Sequence, residues 1–202
     1  MSQVVTTVED VLNLGLRRIG YRLRVGSILE GSEAASQALD IYGQTRDELL
    51  TIGDYRFAQW TAPLGDPLKQ AANYFDTPWD PATHPQPPWL FEYAYPTDCL
   101  KVRAVEEAPT FPFDPLPLPL LFADVNDAEE DPPRRVILCN IQGGILRYTR
   151  QVTRPTEWST PFIEALSAAL GRRLAPVLTN LQTAGLAARD EAVSTALARE
   201  QG

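Results

Sequence analysis

With 202 residues, 44% of them hydrophobic, the chain is long and apolar enough for a substantial core, as one large domain or two small ones. Its formal charge of −8 argues against a nucleic-acid clamp, which needs Lys and Arg to neutralise phosphates, but suits a passage that DNA crosses without sticking. No apolar run approaches the roughly 20 residues of a membrane helix, and Met1-Ser2-Gln3 does not begin a signal peptide, so a soluble protein made in a cytoplasm is expected.

The first predicted element is a helix entered at Thr7, with Glu9 and Asp10 in its positive first turn. Val8, Val11, Leu12, Leu16 and Ile19 share one face, and Gly20 ends it. A loop of about a dozen residues, Gly20 to Gly31, allows a second helix to lie antiparallel to the first. That second helix, capped by Ser32, sets Ala35, Ala38, Leu39, Tyr42, Leu49 and Leu50 on one face. Glu33, Gln37, Asp40, Gln44, Asp47 and Glu48 lie opposite. Arg46 interrupts the apolar face; its guanidinium must either snorkel outward or meet a carboxylate. Gly53 stops the helix, and an extended aromatic segment runs from Asp54 to Trp60.

Between Gly65 and Pro88 the prolines forbid a sustained helix or a central strand, which predicts a surface excursion with a helical turn at Leu68 to Tyr74. Strand character resumes at Trp89 to Tyr95. Leu100, Val102 and Ala104 then alternate with Lys101 and Arg103, the period of a half-buried strand. A second proline-rich insert, Pro109 to Pro119, leads into an acidic loop from Asp124 to Asp131. A hairpin is predicted from Val136–Asn140 and Ile145–Thr149, turning at Gln142-Gly143-Gly144. Cys99 and Cys139, in separate strand-like runs, are expected as buried or half-buried thiols of a reducing compartment.

Thr160-Pro161 opens the last clear helix, with Phe162, Ile163, Leu166, Ala169, Leu170 and Val177 on its apolar side. Arg173 lies within that side, and Pro176 should kink or end the helix. The alanine-rich tail beyond carries only a thin stripe, Leu186, Val193 and Leu197, which either frays or docks on another protein. The fold class expected is α+β: a helical bundle made by N- and C-terminal segments (residues 1–56 and 154–202), with an antiparallel β-sheet or barrel-like module inserted at 57–153.

Four segments, in order along most of the chain, resemble the head-to-tail adaptor family of tailed bacteriophages, which includes the tail tubular protein A of short-tailed phages. They are Leu16 to Gly20 with Ser32 to Ala35; Arg46 to Leu50 leading to Tyr55 to Ala58; Tyr93 to Val102; and Tyr148 with Pro155, Phe162 to Leu166 and Leu174-Ala175. The resemblance implies a structural virion protein of the neck, assembled in the host cytoplasm. Its copies form a homo-oligomeric ring, typically of twelve, between the portal protein and the tail or nozzle, with DNA passing through unbound. It places the helical part against the portal and neighbouring subunits, and the β part toward the tail. Candidate subunit or portal contacts are Arg46, Arg173, Leu186, Val193 and Leu197. Candidate tail-facing residues are Trp79, Phe111 and Phe113, unless these prolyl-aromatic inserts are stiff spacers covering their own sheet. A tail terminator is the alternative within virion proteins; a carbohydrate-binding or hydrolytic β domain is the alternative outside them.

Catalytic and cofactor patterns are missing from the sequence. His84 is a lone histidine among prolines, and with two separated cysteines there is no zinc spacing. Asp124-Val125-Asn126-Asp127 lacks the glycine and terminal glutamate of a calcium loop. Glu106 and Glu107, adjacent in a strand, point to opposite sides. No enzyme, metal or cofactor is expected.

Overall fold

The computed structural model describes residues 7–21, 24–71, 78–108, 119–129 and 131–178. They form an α+β structure with three α-helices and two four-stranded antiparallel sheets. The described residues up to Ala58 and from Gln151 onward make one compact unit, and Gln59–Arg150 make another. Among the described residues no helix is long and apolar enough to cross a membrane.

In the helical unit, α1 (Val8–Arg18) opens with a reciprocal cap: Thr7 accepts from the Asp10 N–H while Asp10 accepts from the Thr7 N–H. It closes in a Schellman turn, where Tyr21 N–H donates to Leu16 C=O and Gly20 N–H to Arg17 C=O. Gly20 takes the left-handed φ of +75° that this turn demands. Ser32 caps α2 (Glu33–Ile52) by accepting from the Ala35 N–H. Helix α3 runs Thr160–Leu178, with Pro176 inside its last turn.

Both α1 and α2 pack on α3. At the α1–α3 crossing two glycines meet. A Cβ on Gly15 would lie 2.6 Å from the Ser167 carbonyl oxygen, and one on Gly171 2.7 Å from the Gly15 carbonyl oxygen. Neither backbone atom can swing aside as a side chain would, so only glycine permits this approach. Leu12, Leu16 and Ile19 of α1 are thereby buried with Ala34, Ala35 and Ala38 of α2 and with Leu174 and Ala175 of α3. Leu39, expected on the covered face of α2, is half exposed. The three alanines carry the contact at that level of the helix and leave the larger side chain at its margin.

Two further features complete this unit. Buried Asn13 pairs with Val25 in both directions, its amide donating to the Val25 carbonyl and accepting from the Val25 N–H, each at 2.9 Å. It thus ties the interhelical loop to α1. Phe162 is fully buried under Tyr55, Phe57 and Trp158, with ring centroids 4.9–5.3 Å away and edge-to-face geometry.

The β unit contains β1 (Gln59–Pro63), β2 (Lys69–Gln70), β3 (Phe91–Ala94), β4 (Cys99–Glu106), β5 (Pro119–Leu120), β6 (Phe122–Asp127), β7 (Arg134–Cys139) and β8 (Ile145–Arg150). The sheets have strand orders β1-β8-β4-β5 and β2-β3-β7-β6 and do not close into a barrel. Val102, Val105, Leu146 and Tyr148 from the first share one core with Tyr93, Ile137 and Cys139 from the second.

Four local expectations change here. The strands β7 and β8 are not a hairpin: they lie in different sheets, and the Gly143-Gly144 segment crosses between them. Four successive residues of β7, Val136–Cys139, are buried, and such a strand needs neighbours on both edges and cover on both faces. Its hairpin partner is β6, so the acidic run Asp124–Asp127 is strand, not loop. In β4, irregularities after Cys99 and Val102 shift the phase, and Cys99, Val102 and Val105 point inward in place of strict alternation. The described part of the expected turn at Leu68 to Tyr74 is the short strand β2, while residues 72–77 lie outside the described residues.

Two substitutions test the helical unit. Gly171→Ala is expected to cost about 1–3 kcal/mol by overpacking the α1–α3 crossing, and Asn13→Ala about 2–3 kcal/mol by stranding two buried backbone groups. Urea denaturation followed by circular dichroism measures both, and wild-type midpoints would refute these contacts.

Candidate functional site

The residues singled out from sequence divide sharply. Arg46 is buried in α2; its Nε donates to Asp47 Oδ1 at 2.7 Å and its guanidinium lies 5.7 Å from the Tyr42 ring centroid. The carboxylate it meets is thus its own chain neighbour. Asp47 is held in turn by Gln151, whose Nε2 donates to Oδ2 at 2.7 Å. Arg173 of α3 reaches α2, donating to Thr45 Oγ1 at 3.0 Å and pairing with Glu48. A matching pair, Arg18 with Glu164, joins α1 to α3. Leu186, Val193 and Leu197 lie outside the described residues, as do Phe111 and Phe113.

Trp79 belongs to the β unit and is half exposed. Its indole N–H donates to the Pro85 carbonyl at 3.0 Å, which holds the ring in one orientation. With Pro81 and His84 it forms one wall of a cavity of about 240 Å³; the other wall is strand residues that include Glu92, Val136 and Leu138. Those three alternate with Tyr93, Ile137 and Cys139, which face the sandwich core. The proline-rich excursion therefore covers the outer face of the second sheet.

At the cavity wall sits a buried charge cluster that the sequence reading did not single out. Lys69 Nζ donates to Asp127 Oδ2 at 2.7 Å and to the Pro81 carbonyl at 3.0 Å, and lies 3.7 Å from Glu92 Oε2. All three side chains are at most 10% exposed. Burial pushes the Glu92 carboxyl up, against the attraction of Lys69, and the Asp127 charge adds to the rise. Asp127 also suffers from burial, but the Lys69 hydrogen bond, the Glu129 N–H and its neighbours outweigh that and hold it below its ordinary value. The two environments drive neighbouring carboxyls apart, so Glu92 retains its proton to higher pH than Asp127.

Separated acids of this kind resemble an acid–base pair, yet Lys69 bonds directly to Asp127 and ties down the covering segment. Glu92 Oε1 is fully buried, with no hydrogen-bond partner of its own among the described residues, while the Glu92 carboxyl is hydrogen-bonded to that of Asp127. What this arrangement does chemically is neutralise charge and hold a loop. The signal for it was one acid inside an aromatic strand, Phe91-Glu92-Tyr93. Lys69, on a strand of two residues, offered no period to read.

Other titratable groups are structural. Cys99 and Cys139 are free, buried thiols pushed up by burial. Tyr148, raised to about 12 by burial and by its bond to Asp98 at 3.1 Å, joins β8 to the turn before β4. Asp124 pairs with Arg135 at 2.6 Å, and Glu106 with Arg147 at 3.0 Å. His84 is half-buried in the cavity wall, with Nδ1 3.0 Å from Thr83 Oγ1. Among the described residues no group of three or more His, Cys, Asp or Glu is arranged to hold a metal.

Compared with known proteins, the chain matches no family model and no curated protein.

The cluster makes two predictions. Lys69→Met leaves two buried carboxyls without their cation and should cost about 3–5 kcal/mol, read by denaturant titration at pH 7. A raised folded-state pKa at Glu92 adds stability that is complete below the ordinary glutamate range near 4.3 and is lost as pH rises through the folded value. The melting temperature of Glu92→Gln relative to wild type should therefore be better at pH 8 than at pH 4. A flat or opposite trend would contradict the assignment.

Proposed function

We propose that the protein is a head-to-tail adaptor of a tailed bacteriophage. In this reading residues 1–56 and 154–202 form a helical bundle and 57–153 an inserted β module. A non-catalytic homo-oligomeric ring, dodecameric by analogy, joins the portal protein to the tail or nozzle in the neck of the virion and is assembled in the host cytoplasm.

One observation carries the reading. The segments on which the family resemblance rests are remote in sequence but touch in space. Arg18 pairs with Glu164, Tyr55 and Phe57 pack on Phe162, and Tyr148 bonds to Asp98. Residues that make such contacts are the ones a shared fold would retain, since each pair joins separate elements. Composition supports the same reading. A formal charge of −8 per copy, repeated around a ring, gives a conduit that repels DNA phosphates.

Arg46 and Arg173 are anchored by partners within their own chain, so in this proposal they order the surface presented to a neighbouring subunit or the portal. Leu29, Leu39 and Val177, each at least half exposed, supply apolar area in the same unit; Leu186, Val193 and Leu197, outside the described residues, are kept as candidate subunit or portal contacts from the sequence alone. Trp79, Phe111 and Phe113 are assigned to the tail-facing side.

Electron microscopy of the protein mixed with the portal of its own phage tests the proposal. Rings of portal symmetry seated on the portal are expected. A sixfold ring that ignores the portal would favour a tail terminator, and a monomer that binds nothing would overturn the adaptor reading.

A further inference from the structure

The carboxyls of Glu92 and Asp127 are hydrogen-bonded to each other, and two carboxyls bond in this way only while one of them keeps a proton. Asp127 also accepts from Lys69 Nζ at 2.7 Å and from the Glu129 N–H at 3.2 Å. Both of these partners are donors, which makes Asp127 the ionised member, and the shared proton belongs to buried Glu92. Lys69 Nζ sits between this pair and the proline-rich excursion. It reaches Asp127 on the sheet and the Pro81 carbonyl, at 3.0 Å, on the excursion. Glu92 Oε2 is 3.7 Å away, too far for a hydrogen bond. Around these groups the excursion, with Trp79, Pro81, His84 and Gln86, faces Val136 and Leu138, each 1% exposed.

We propose that this proton holds the excursion shut: when Glu92 loses it, Lys69 leaves the Pro81 carbonyl and the segment from Trp79 to Gln86 loosens from the sheet. Loss of the proton removes the carboxyl–carboxyl bond and leaves two buried anions beside one ammonium. The new charge on Glu92 draws Nζ toward the two acids, which lie on the sheet, and away from the excursion. Glu92 is faced by Lys69 from β2, Asp127 from β6 and Arg134 from β7, with His84 of the excursion and Glu129 beyond β6 lining the same cavity. Lys69 and Arg134 favour the ionised Glu92, burial and Asp127 oppose it, and the balance stands above the ordinary glutamate value. The strap is therefore closed at low pH and loosens as pH rises through the folded value of Glu92. Loosening uncovers Val136 and Leu138, an apolar part of the outer sheet face. This device belongs to the β unit and does not require that the chain be an adaptor.

Quench-flow hydrogen exchange of the full chain, read by mass spectrometry and corrected for the intrinsic rate at each pH, provides the test. Within residues 79–86 the Thr83 and His84 N–H groups donate to the Asp80 carbonyl. Peptides covering this segment should lose about tenfold in protection between pH 4 and pH 8, while those covering residues 145–150 of the first sheet keep theirs. Glu92→Gln, whose amide can donate to Asp127 at every pH, should hold the protection of residues 79–86 constant. His84→Gln should show the same fall as wild type. Constant protection of residues 79–86 in wild type would overturn the proposal, as would an equal fall in Glu92→Gln or in the first sheet. A fall abolished by His84→Gln would overturn it too, by placing the titrating group on the histidine.

Discussion

The helical unit depends on the approach of α1 and α3 at Gly15 and Gly171, where the chain before the β insertion meets the chain after it. Carbonyl oxygens stand where Cβ atoms would be, so the two backbones are in direct contact and neighbouring Leu12, Leu16, Leu170 and Leu174 are all buried. Close backbone packing of this kind converts a modest apolar stripe into a tight interface. The charged pairs Arg18–Glu164 and Arg173–Glu48 lie around it and set the register of α3 against its two partners. With part-exposed side chains they add little energy; their role is orientation.

The β unit solves a different problem. Its second sheet carries apolar residues on both faces, and only one face meets the other sheet. The excursion covers the remaining face, secured by a lysine that lies over a buried glutamate and bonds to a buried aspartate. A purely apolar cover would satisfy burial equally well. Retaining three ionisable groups there leaves a cavity with polar character.

The proposed adaptor function rests on the agreement between a weak resemblance and strong contacts. Each resembling segment is short, but its residues recur at the joints between elements: helix to helix, aromatic cluster to helix, strand to turn. The proposed ring adds nothing chemical to this picture. It asks for a rigid helical unit, an acidic surface and partner-binding segments, and it leaves the charge cluster of the β unit a structural role.

How much was legible from the sequence follows from how local each signal is. Thr7, Ser32 and Gly20 mark helix ends through hydrogen bonds within a few residues, so they can be read directly, as can the three helices and the α+β class. The aromatic strand at Phe91–Ala94 was equally legible. The partner of β7, the phase of β4 and the exposure of Leu39 were not, because each depends on what packs against a residue from elsewhere in the chain. The same holds for the site. Trp79 and His84 were conspicuous by type, but Lys69, Glu92 and Asp127 are separated by up to 58 positions and acquire their properties only through burial together. Local hydrogen bonding and periodicity write themselves into sequence; desolvation and long-range pairing come into being only when the tertiary structure brings distant residues within a few ångströms.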